Sequence, residues 1–270
     1  MRRIVTVAVG IAIAVAGAAG VAGPAGAAAR HGAVSGVACG IDQRLEQVAS
    51  GGIHVLSRPN AFNTSGQKLC IEGGSSPGFK ITTNLKYTGA WQAYPFTGWG
   101  CAYELCSQGA SPVRVSKLPR NANSSWSWRP NGARGTWNAS YDDWFSKTDQ
   151  ISAEDDGAEL MIWLRTMPGY CLRPGEVNCG ERLVKIGHRE YWFGTGRDCD
   201  KRSDTCWNYL QFRTTRTVYG VKQLWLGPFI KFLEARKLVR PWWWLTSIHA
   251  GYEMVSGGKG LQTTWFNAHV

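Results

Sequence analysis

The sequence predicts an all-β fold in which two sheets pack against each other. From Cys39 onward, short runs rich in β-branched and aromatic residues are broken by Gly, Asn, Ser and Pro. Many short strands at close spacing are typical of a sandwich or barrel rather than a parallel α/β sheet. Several runs also alternate apolar with polar residues, as strands do when only one face meets the core.

The first 29 residues have the pattern of a secretory signal peptide. Met1-Arg2-Arg3 is followed by an apolar run from Ile4 to about Ala22 and then by small residues up to Ala29. We therefore expect cleavage after Ala29 and a secreted, extracellular protein with no stable membrane association. A retained membrane anchor is the alternative, because the apolar run is nearly long enough to span a bilayer.

The remaining chain is expected to form one domain. Residues 30–38 are predicted to be a short flexible lead-in, and residues 39–270 a single all-β domain with a substantial core. Cleavage would remove two of the 30 basic residues and none of the 19 acidic ones, changing the net charge from +11 to +9. The basic residues are scattered and no groove-reading motif is present, which argues against a nucleic-acid partner. We expect a monomer.

Eight cysteines, an even number, fall in the predicted mature chain. In an exported protein this count favours disulfides. Zinc is the alternative, but the chain has no Cys-x-x-Cys and only five histidines, so no metal site is predicted. Sequence neighbours suggest four pairs: Cys39–Cys70, Cys101–Cys106, Cys171–Cys179 and Cys199–Cys206. Spacing alone does not prove this connectivity.

One segment has helical periodicity. Between Pro228 and Leu238, apolar residues recur at helical spacing. Pro228 is suited to the first turn of a helix, and Pro241 prevents its continuation. We predict one α-helix over about 228–238, packed on the outside of the sandwich.

The segment Glu159–Leu164 alternates cleanly between two kinds of side chain. One face holds three aliphatic residues, which are expected in the interior: Leu160, Ile162 and Leu164. The other face holds a carboxylate, a thioether and an indole: Glu159, Met161 and Trp163. This set suits a sugar-binding groove, because pyranose rings stack on aromatic faces and paired carboxyl groups cleave glycosidic bonds. A half-exposed strand with a solvated Glu is the alternative.

Two further strands place an acid on a polar face. In 137–145, Asp142 shares its face with Asn138, Ser140 and Trp144. In 245–254, Glu253 shares its face with His249 and Gly251, whereas the opposite face holds core candidates: Ile248, Ala250, Tyr252 and Met254.

These acids suit a specific reaction. Retaining glycosidases need a nucleophile and an acid/base carboxyl about 5–5.5 Å apart, and strands lie about 4.8 Å apart. Glu159 and Glu253 are predicted to lie on different strands and to point to the same face of the sheet, so their carboxyl groups could reach that separation. Asp142, on a strand neighbouring Glu159, would keep the pKa values of the two acids apart. Simple solvation of each acid is the alternative.

In order along the chain, these segments resemble glycoside hydrolase family 12, the secreted bacterial β-jelly-roll endoglucanases. The resemblance covers essentially all of 39–270 and rests on Trp137-Asn138-Ala139-Ser140-Tyr141-Asp142, on 159–164 and on 245–253. Ser256-Gly257-Gly258 and the ending at 266–270 also resemble the family's last hairpin. The pairs Cys39–Cys70 and Cys101–Cys106 sit where its bacterial members carry disulfides.

The resemblance implies a concave cleft on one sheet and retaining hydrolysis of internal β-1,4-glucosidic bonds of cellulose-type glucans, with no cofactor. Glu159 takes the nucleophile position, Glu253 the acid/base position, and Asp142 would tune Glu159. The implied substrate-binding residues are Asn60, Phe62, Asn138, Met161, Trp163 and His249. Phe62 and Val255 replace family tryptophans, and loops 171–179 and 199–206 are extra, which bears on substrate preference rather than on chemistry.

Several alternatives remain open at this stage. Within enzymes, xyloglucan or mixed-linkage glucan could be the preferred substrate, and a xylanase of the related clan fits the sequence around Glu159 less well. A non-catalytic glycan-binding lectin would use the same fold and the 14 tryptophans. A cell-wall-adhering protein driven by positive charge would show salt-sensitive binding without glucan selectivity.

Overall fold

A computed structural model describes residues 36–74, 76–102, 105–150, 156–167, 180–199 and 205–270 of the 270-residue chain. The predicted signal peptide at 1–29, most of the lead-in and the predicted Cys171–Cys179 pair lie outside these ranges. Residues 36–38, which the sequence assigned to the lead-in, instead belong to a strand. Ala38 is buried and Val37 pairs with Glu72, so this part of the chain joins the sandwich.

The first half of the chain supplies nine strands within the described ranges. They are β1 (Gly36–Cys39), β2 (Leu45–Val48), β3 (His54–Arg58), β4 (Cys70–Gly73), β5 (Phe79–Ile81), β6 (Phe96–Ala102), β7 (Leu105–Cys106), β8 (Val113–Arg114) and β9 (Asn123–Arg129). Short 3-10 helices lie at Ser50–Gly52 and Val115–Lys117.

The second half adds eight described strands and a helix. They are β10 (Ala139–Ser146), β11 (Ala158–Arg165), β12 (Arg182–Ile186), β13 (Arg189–Cys199), β14 (Cys206–Thr214), β15 (Gly220–Trp225), α1 (Leu226–Glu234), β16 (Trp244–Gly251) and β17 (Gln262–His269). Among the described residues, no helix is long and apolar enough to span a bilayer.

The strands form the predicted two-sheet β-jelly-roll sandwich. The smaller sheet has the order β1-β4-β5-β17-β9-β15. The larger has the order β12-β13-β14-β11-β10-β16-β6-β3-β2, with β7 beside β6 and β8 beside β16. The pairing of β11 with β14 is parallel. The larger sheet thus places β11, β10 and β16 side by side. Glu159 lies on β11, Asp142 lies on β10, and Glu253 follows β16.

The core lies between the sheets and is rich in aromatic side chains. Trp126 packs edge-on against Tyr141, and Trp128 against Trp137, at ring-centroid distances of 5.5 and 6.0 Å. Such edge-to-face pairs add stability beyond the area that they bury. The core predictions for β11 and for residues 245–254 are confirmed, since all seven aliphatic or aromatic candidates are at most 1% exposed.

The predicted helix exists, but its bounds are different. It runs from Leu226 to Glu234, so that Pro228 lies in the first turn as predicted. It ends before Leu238 because Lys237 adopts a left-handed φ of 61°, and the N–H of Leu238 donates to the Leu233 carbonyl at 3.0 Å. Phe229 packs against Phe212 of β14, with ring centroids 5.0 Å apart. The helix therefore covers the β13–β14 end of the core.

Three of the four predicted disulfides lie in the described residues. Cys39–Cys70 joins β1 to β4, Cys101–Cys106 joins β6 to β7, and Cys199–Cys206 closes the end of the β13–β14 hairpin. The last of these lies next to the cavity described below.

Candidate active site

The three carboxylates singled out from the sequence converge on one cavity in the larger sheet. Asp142 of β10 and Glu159 of β11 lie on adjacent strands, where Asp142 pairs with Met161 and Glu159 with Trp144. Glu253 follows β16 on the other side of β10. The predicted strand 245–254 is thus too long, because β16 ends at Gly251. The backbone near Glu253 remains anchored, since its carbonyl accepts the N–H of Asn138 at 3.0 Å.

The cavity has a volume of about 270 Å³ and combines acids with aromatic walls. Its acidic lining consists of Asp142, Glu159, Asp198 and Glu253. Its aromatic lining consists of Phe62, Trp91, Tyr94, Phe96, Trp144 and Trp207. The remaining lining residues are Asn60, Ala93 and His249. Flat apolar rings beside carboxylates are the side chains that a pyranose ring requires.

Glu253 is held by Asn138. The Asn138 side-chain amide donates to Glu253 Oε2, and Asn138 Oδ1 accepts the backbone N–H of Glu253 at 3.1 Å. Ser140 Oγ donates to the same Oδ1 at 3.1 Å, which fixes the orientation of the amide. Asn138 is fully buried and is not part of the cavity lining. The prediction that it lines the cleft is therefore wrong, and its contact is with Glu253.

The environment of Glu253 favours its protonated form. Burial raises the pKa of Glu253 to about 8, the hydrogen bond from Asn138 opposes this change, and the charge of Asp142 adds to it. A carboxyl with this pKa keeps its proton at neutral pH and can donate it.

Glu159 has a different partner. The indole Nε1–H of Trp207 donates to Glu159 Oε2 at 2.7 Å. Burial, followed by the charges of Asp142 and Glu253, raises the pKa of Glu159 well above its usual range, whereas the Trp207 hydrogen bond lowers it. When Glu253 carries a proton, its repulsion of Glu159 disappears. The N–H donor of Trp207 stabilises the ionised form of Glu159, as the amide of Asn138 does for Glu253.

Asp142 raises the pKa of both glutamates, so its removal should shift both titrations. We expect Asp142→Asn to lower the pKa of Glu159 and of Glu253, because neither carboxyl would then face the negative charge. The midpoint for Glu253 should fall below about 8. The measurement is an NMR titration of ¹³C-labelled glutamate carboxyls from pH 4 to 10, and wild-type midpoints for both groups would contradict this role of Asp142.

Met161 and Trp163 differ from the prediction. They are 0% and 1% exposed, and neither lines the cavity. Their face was correctly predicted, because Met161 pairs with Asp142 on one side and with Gln211 of β14 on the other. Alternation identifies a face but not how deeply it is covered. The prediction that they contact substrate in the cleft is therefore corrected.

Three of the residues expected to bind substrate line the cavity: His249, Asn60 and Phe62. His249 stacks on Phe96 with ring centroids 4.1 Å apart, and burial, with a smaller effect of Arg58, lowers its pKa to about 3. Its imidazole is therefore neutral at working pH. Phe62 is 51% exposed, so its ring is open to a sugar.

Sequence reasoning missed several residues of the cavity. Trp207 and Asp198 pair across the β13–β14 hairpin and lie just outside the loop 199–206 that the sequence singled out. A buried acid outside the cavity, Asp143, was also missed. It lies fully buried on the core side of β10, and neither carboxylate oxygen makes a hydrogen bond of normal geometry within the described part of the chain. The backbone of His249 nevertheless lies close enough to lower the pKa of Asp143 against the larger effect of burial. Alternation along 137–145 places it on that face, which was the available signal.

Known proteins share this fold. Endoglucanase cel12A from Rhodothermus marinus is 30% identical, covering 86% of this chain and 97% of its own, with a TM-score of 0.72. A metagenome-derived family 12 endoglucanase is also 30% identical, over 87% of this chain and 98% of its own, with a TM-score of 0.72. A family 12 xyloglucanase from Bacillus licheniformis is 21% identical over 87% of this chain and all of its own, with a TM-score of 0.72, and supports the fold alone.

A search of curated protein sequences found no match. The family model for glycosyl hydrolase family 12 matches residues 70–270. This range includes Asp142, Glu159 and Glu253, the three acids that the larger sheet brings to one cavity. The chain belongs to glycosyl hydrolase family 12.

Proposed function

We propose that this glycoside hydrolase is a secreted, monomeric, retaining endo-β-1,4-glucanase that cleaves internal bonds of cellulose-type glucans. The observation that carries the proposal is the pair Glu159 and Glu253 in one cavity, where burial raises the pKa of both carboxyls and the charge of Glu253 raises that of Glu159 further. Such a pair can hold one proton between its two members, and the family resemblance assigns the nucleophile to Glu159 and the proton donor to Glu253. A nucleophile and a proton donor are the two groups that retention requires.

The sheet supports a suitable spacing between them. Glu159 lies on β11 and Glu253 follows β16, with β10 between these strands. Two strand spacings of about 4.8 Å separate their backbones by roughly 9.6 Å. Both side chains line the same cavity, and extending them toward each other over β10 would shorten this gap toward the roughly 5–5.5 Å of retaining enzymes. The charge of Glu253 raises the pKa of Glu159, which is consistent with such proximity.

In the first step, Glu159 attacks the anomeric carbon and forms a glycosyl-enzyme bond. The bond to the leaving-group oxygen breaks, and Glu253 transfers its proton to that oxygen. Glu253, now a carboxylate, removes a proton from water, which attacks the anomeric carbon and releases Glu159. Two inversions give net retention, and the carboxyl pair supplies both the nucleophile and the proton. Neutral His249 and the aromatic walls would position the sugar.

The choice of substrate is supported by the two endoglucanases at 30% identity. Xyloglucan and mixed-linkage glucan remain alternatives within the same chemistry, and a glycan-binding lectin is the alternative without it. The test is reducing-sugar release from carboxymethylcellulose, xyloglucan and lichenan by the wild type, Glu159→Gln and Glu253→Gln. We expect release from carboxymethylcellulose by the wild type alone. Binding of all three polymers without release would favour the lectin.

The exposed ring of Phe62 leads to a prediction about affinity. Because an indole offers a larger stacking face than a phenyl ring, Phe62→Trp is expected to lower KM for long β-1,4-glucans by roughly 2- to 10-fold, with little change in kcat. The measurement is steady-state kinetics on cello-oligosaccharides of increasing length. A matched Phe62→Leu variant should raise KM, and an equal KM in all three proteins would show that Phe62 does not contact the sugar.

A further inference from the structure

Trp207 reaches Glu159 from a strand that is remote in sequence. It lies on β14, which runs parallel to β11, and Glu159 pairs with Tyr209 in the register. Alternation puts Trp207 on the same face as Tyr209, one position upstream on that face. From there its Nε1–H donates to Glu159 Oε2 at 2.7 Å. The hydrogen bond occupies Oε2 of Glu159, so that Oε1 is the oxygen that would form the bond to the sugar.

Only a few described contacts hold the indole in place. Its ring lies against Trp144 of β10, with centroids 5.3 Å apart. Across the hairpin, Trp207 pairs with Asp198 of β13. The next pair outward is Cys199 with Cys206, which the disulfide links covalently. Trp207 therefore immediately follows a cross-linked residue at the very end of a two-strand ladder.

Strand ends open easily when only ladder hydrogen bonds hold them. The Cys199–Cys206 disulfide lies one residue from Trp207 and prevents the end of the β13–β14 ladder from opening. This end of the ladder is the part that lines the cavity. We propose that the Cys199–Cys206 disulfide keeps Trp207 on Glu159, so that Trp207 is a positioning residue for the nucleophile and the disulfide is part of its support. This inference rests on the proposed function, because it assigns Glu159 the nucleophilic role.

Two variants test the contact itself. Trp207→Phe keeps an aromatic ring and removes the N–H, so the acid-side limb of the pH–kcat/KM profile should move up by about one pH unit. The value of kcat near pH 5 should fall by about 10-fold, with KM nearly unchanged. A purely structural role would lower Tm without moving that limb.

The disulfide is tested by the double variant Cys199→Ser/Cys206→Ser. We expect the same acid-side limb to move in the same direction, with kcat lower by roughly 3- to 10-fold. Combining these changes with Trp207→Phe should move the limb no further, because the disulfide acts through the same hydrogen bond. The matched control is Cys39→Ser/Cys70→Ser in the other sheet. The Cys39–Cys70 disulfide closes a sequence separation of 31 residues, against 7 for Cys199–Cys206. Its removal should therefore lower Tm at least as much as removal of Cys199–Cys206, while the pH profile stays unchanged.

A direct titration separates this inference from the proposed function. The carboxyl pKa of Glu159 is measured by NMR with ¹³C-labelled glutamate, the signal being assigned from its absence in Glu159→Gln. A higher Glu159 pKa in both the Trp207 and the Cys199/Cys206 variants supports the inference. A wild-type value and wild-type pH profile after disulfide removal overturn it, even if the enzyme is active. Absence of glucan hydrolysis by the wild type would instead overturn the proposed function.

Discussion

Glu159→Gln is expected to lower kcat on β-1,4-glucan by on the order of 10⁴-fold or more. Glutamine keeps the volume of the side chain but cannot form the glycosyl-enzyme bond. Glu253→Gln should cost a similar factor on natural substrates, because the leaving oxygen would depart without a proton. KM should change little in either variant, since both side chains retain their shape. The measurement is steady-state hydrolysis of carboxymethylcellulose at the wild-type pH optimum.

The two roles are separated by leaving group and by azide. The leaving group of an activated aryl cellobioside departs without a proton, so Glu253→Ala should still release the aglycone. Azide should then attack the glycosyl-enzyme and give a β-glycosyl azide. Glu159→Ala should be rescued only by azide that enters at the nucleophile position, giving the α-glycosyl azide. Exchanged stereochemistry between the two variants would reverse the assignment of the two glutamates.

Asp143→Val is expected to stabilise the protein by about 1–3 kcal/mol, because only a backbone contact with His249 offsets the cost of burying the carboxyl. Asp143 is fully buried, and its ladder neighbours are Leu160 and Ile248, both in the core. Valine is similar in size and apolar, so it should fill the same space. For a domain of this size each kcal/mol corresponds to roughly 2–4 °C in Tm.

The gain from Asp143→Val should also depend on pH. Burial, with a smaller effect of Asp142, raises the pKa of Asp143 well above its usual range. Such a group binds its proton more tightly in the folded state than in the unfolded state. The stability it contributes is present below the unfolded pKa and is lost as pH rises toward the folded value. The advantage of Asp143→Val over the wild type should therefore increase from pH 4 upward.

Asp143→Asn is the matched control for this prediction. It removes the ionisation but keeps a buried polar group, so it should abolish the pH dependence and recover only part of the gain. The measurement is the free energy of unfolding by denaturant from pH 4 to 9 for the three proteins. If Asp143→Val proves less stable than the wild type at pH 7, the backbone contact of Asp143 with His249 outweighs the cost of burial and the prediction is wrong.

Much of the fold followed from local patterns. The alternation of Leu160, Ile162 and Leu164 predicted their burial, because a strand with one core-facing side repeats every two residues. The helix was recognisable from its spacing, although its end was not. Its end depends on the left-handed backbone at Lys237, which no residue type in that stretch required.

The site was less predictable, because its contacts join distant strands. The three acids were found from their faces, but the parallel pairing of β11 with β14 brings Trp207 to Glu159, and pairing partners are set by the whole sheet. Asn138 was placed on the correct face, yet its role depends on the backbone of Glu253, 115 residues away. Met161 shares the face of Glu159 and is nevertheless covered, because depth depends on neighbouring strands rather than on phase.

The central claim is that Glu159 forms a covalent bond to the sugar. It is tested most directly by incubating the enzyme with a 2-deoxy-2-fluoro-β-cellobioside that carries a dinitrophenolate leaving group, followed by peptide mapping by mass spectrometry. We expect a 2-fluorocellobiosyl label on the β11 peptide at Glu159 and none in Glu159→Gln. A label on Glu253, or rapid turnover with an α-configured first product and no label, would contradict it.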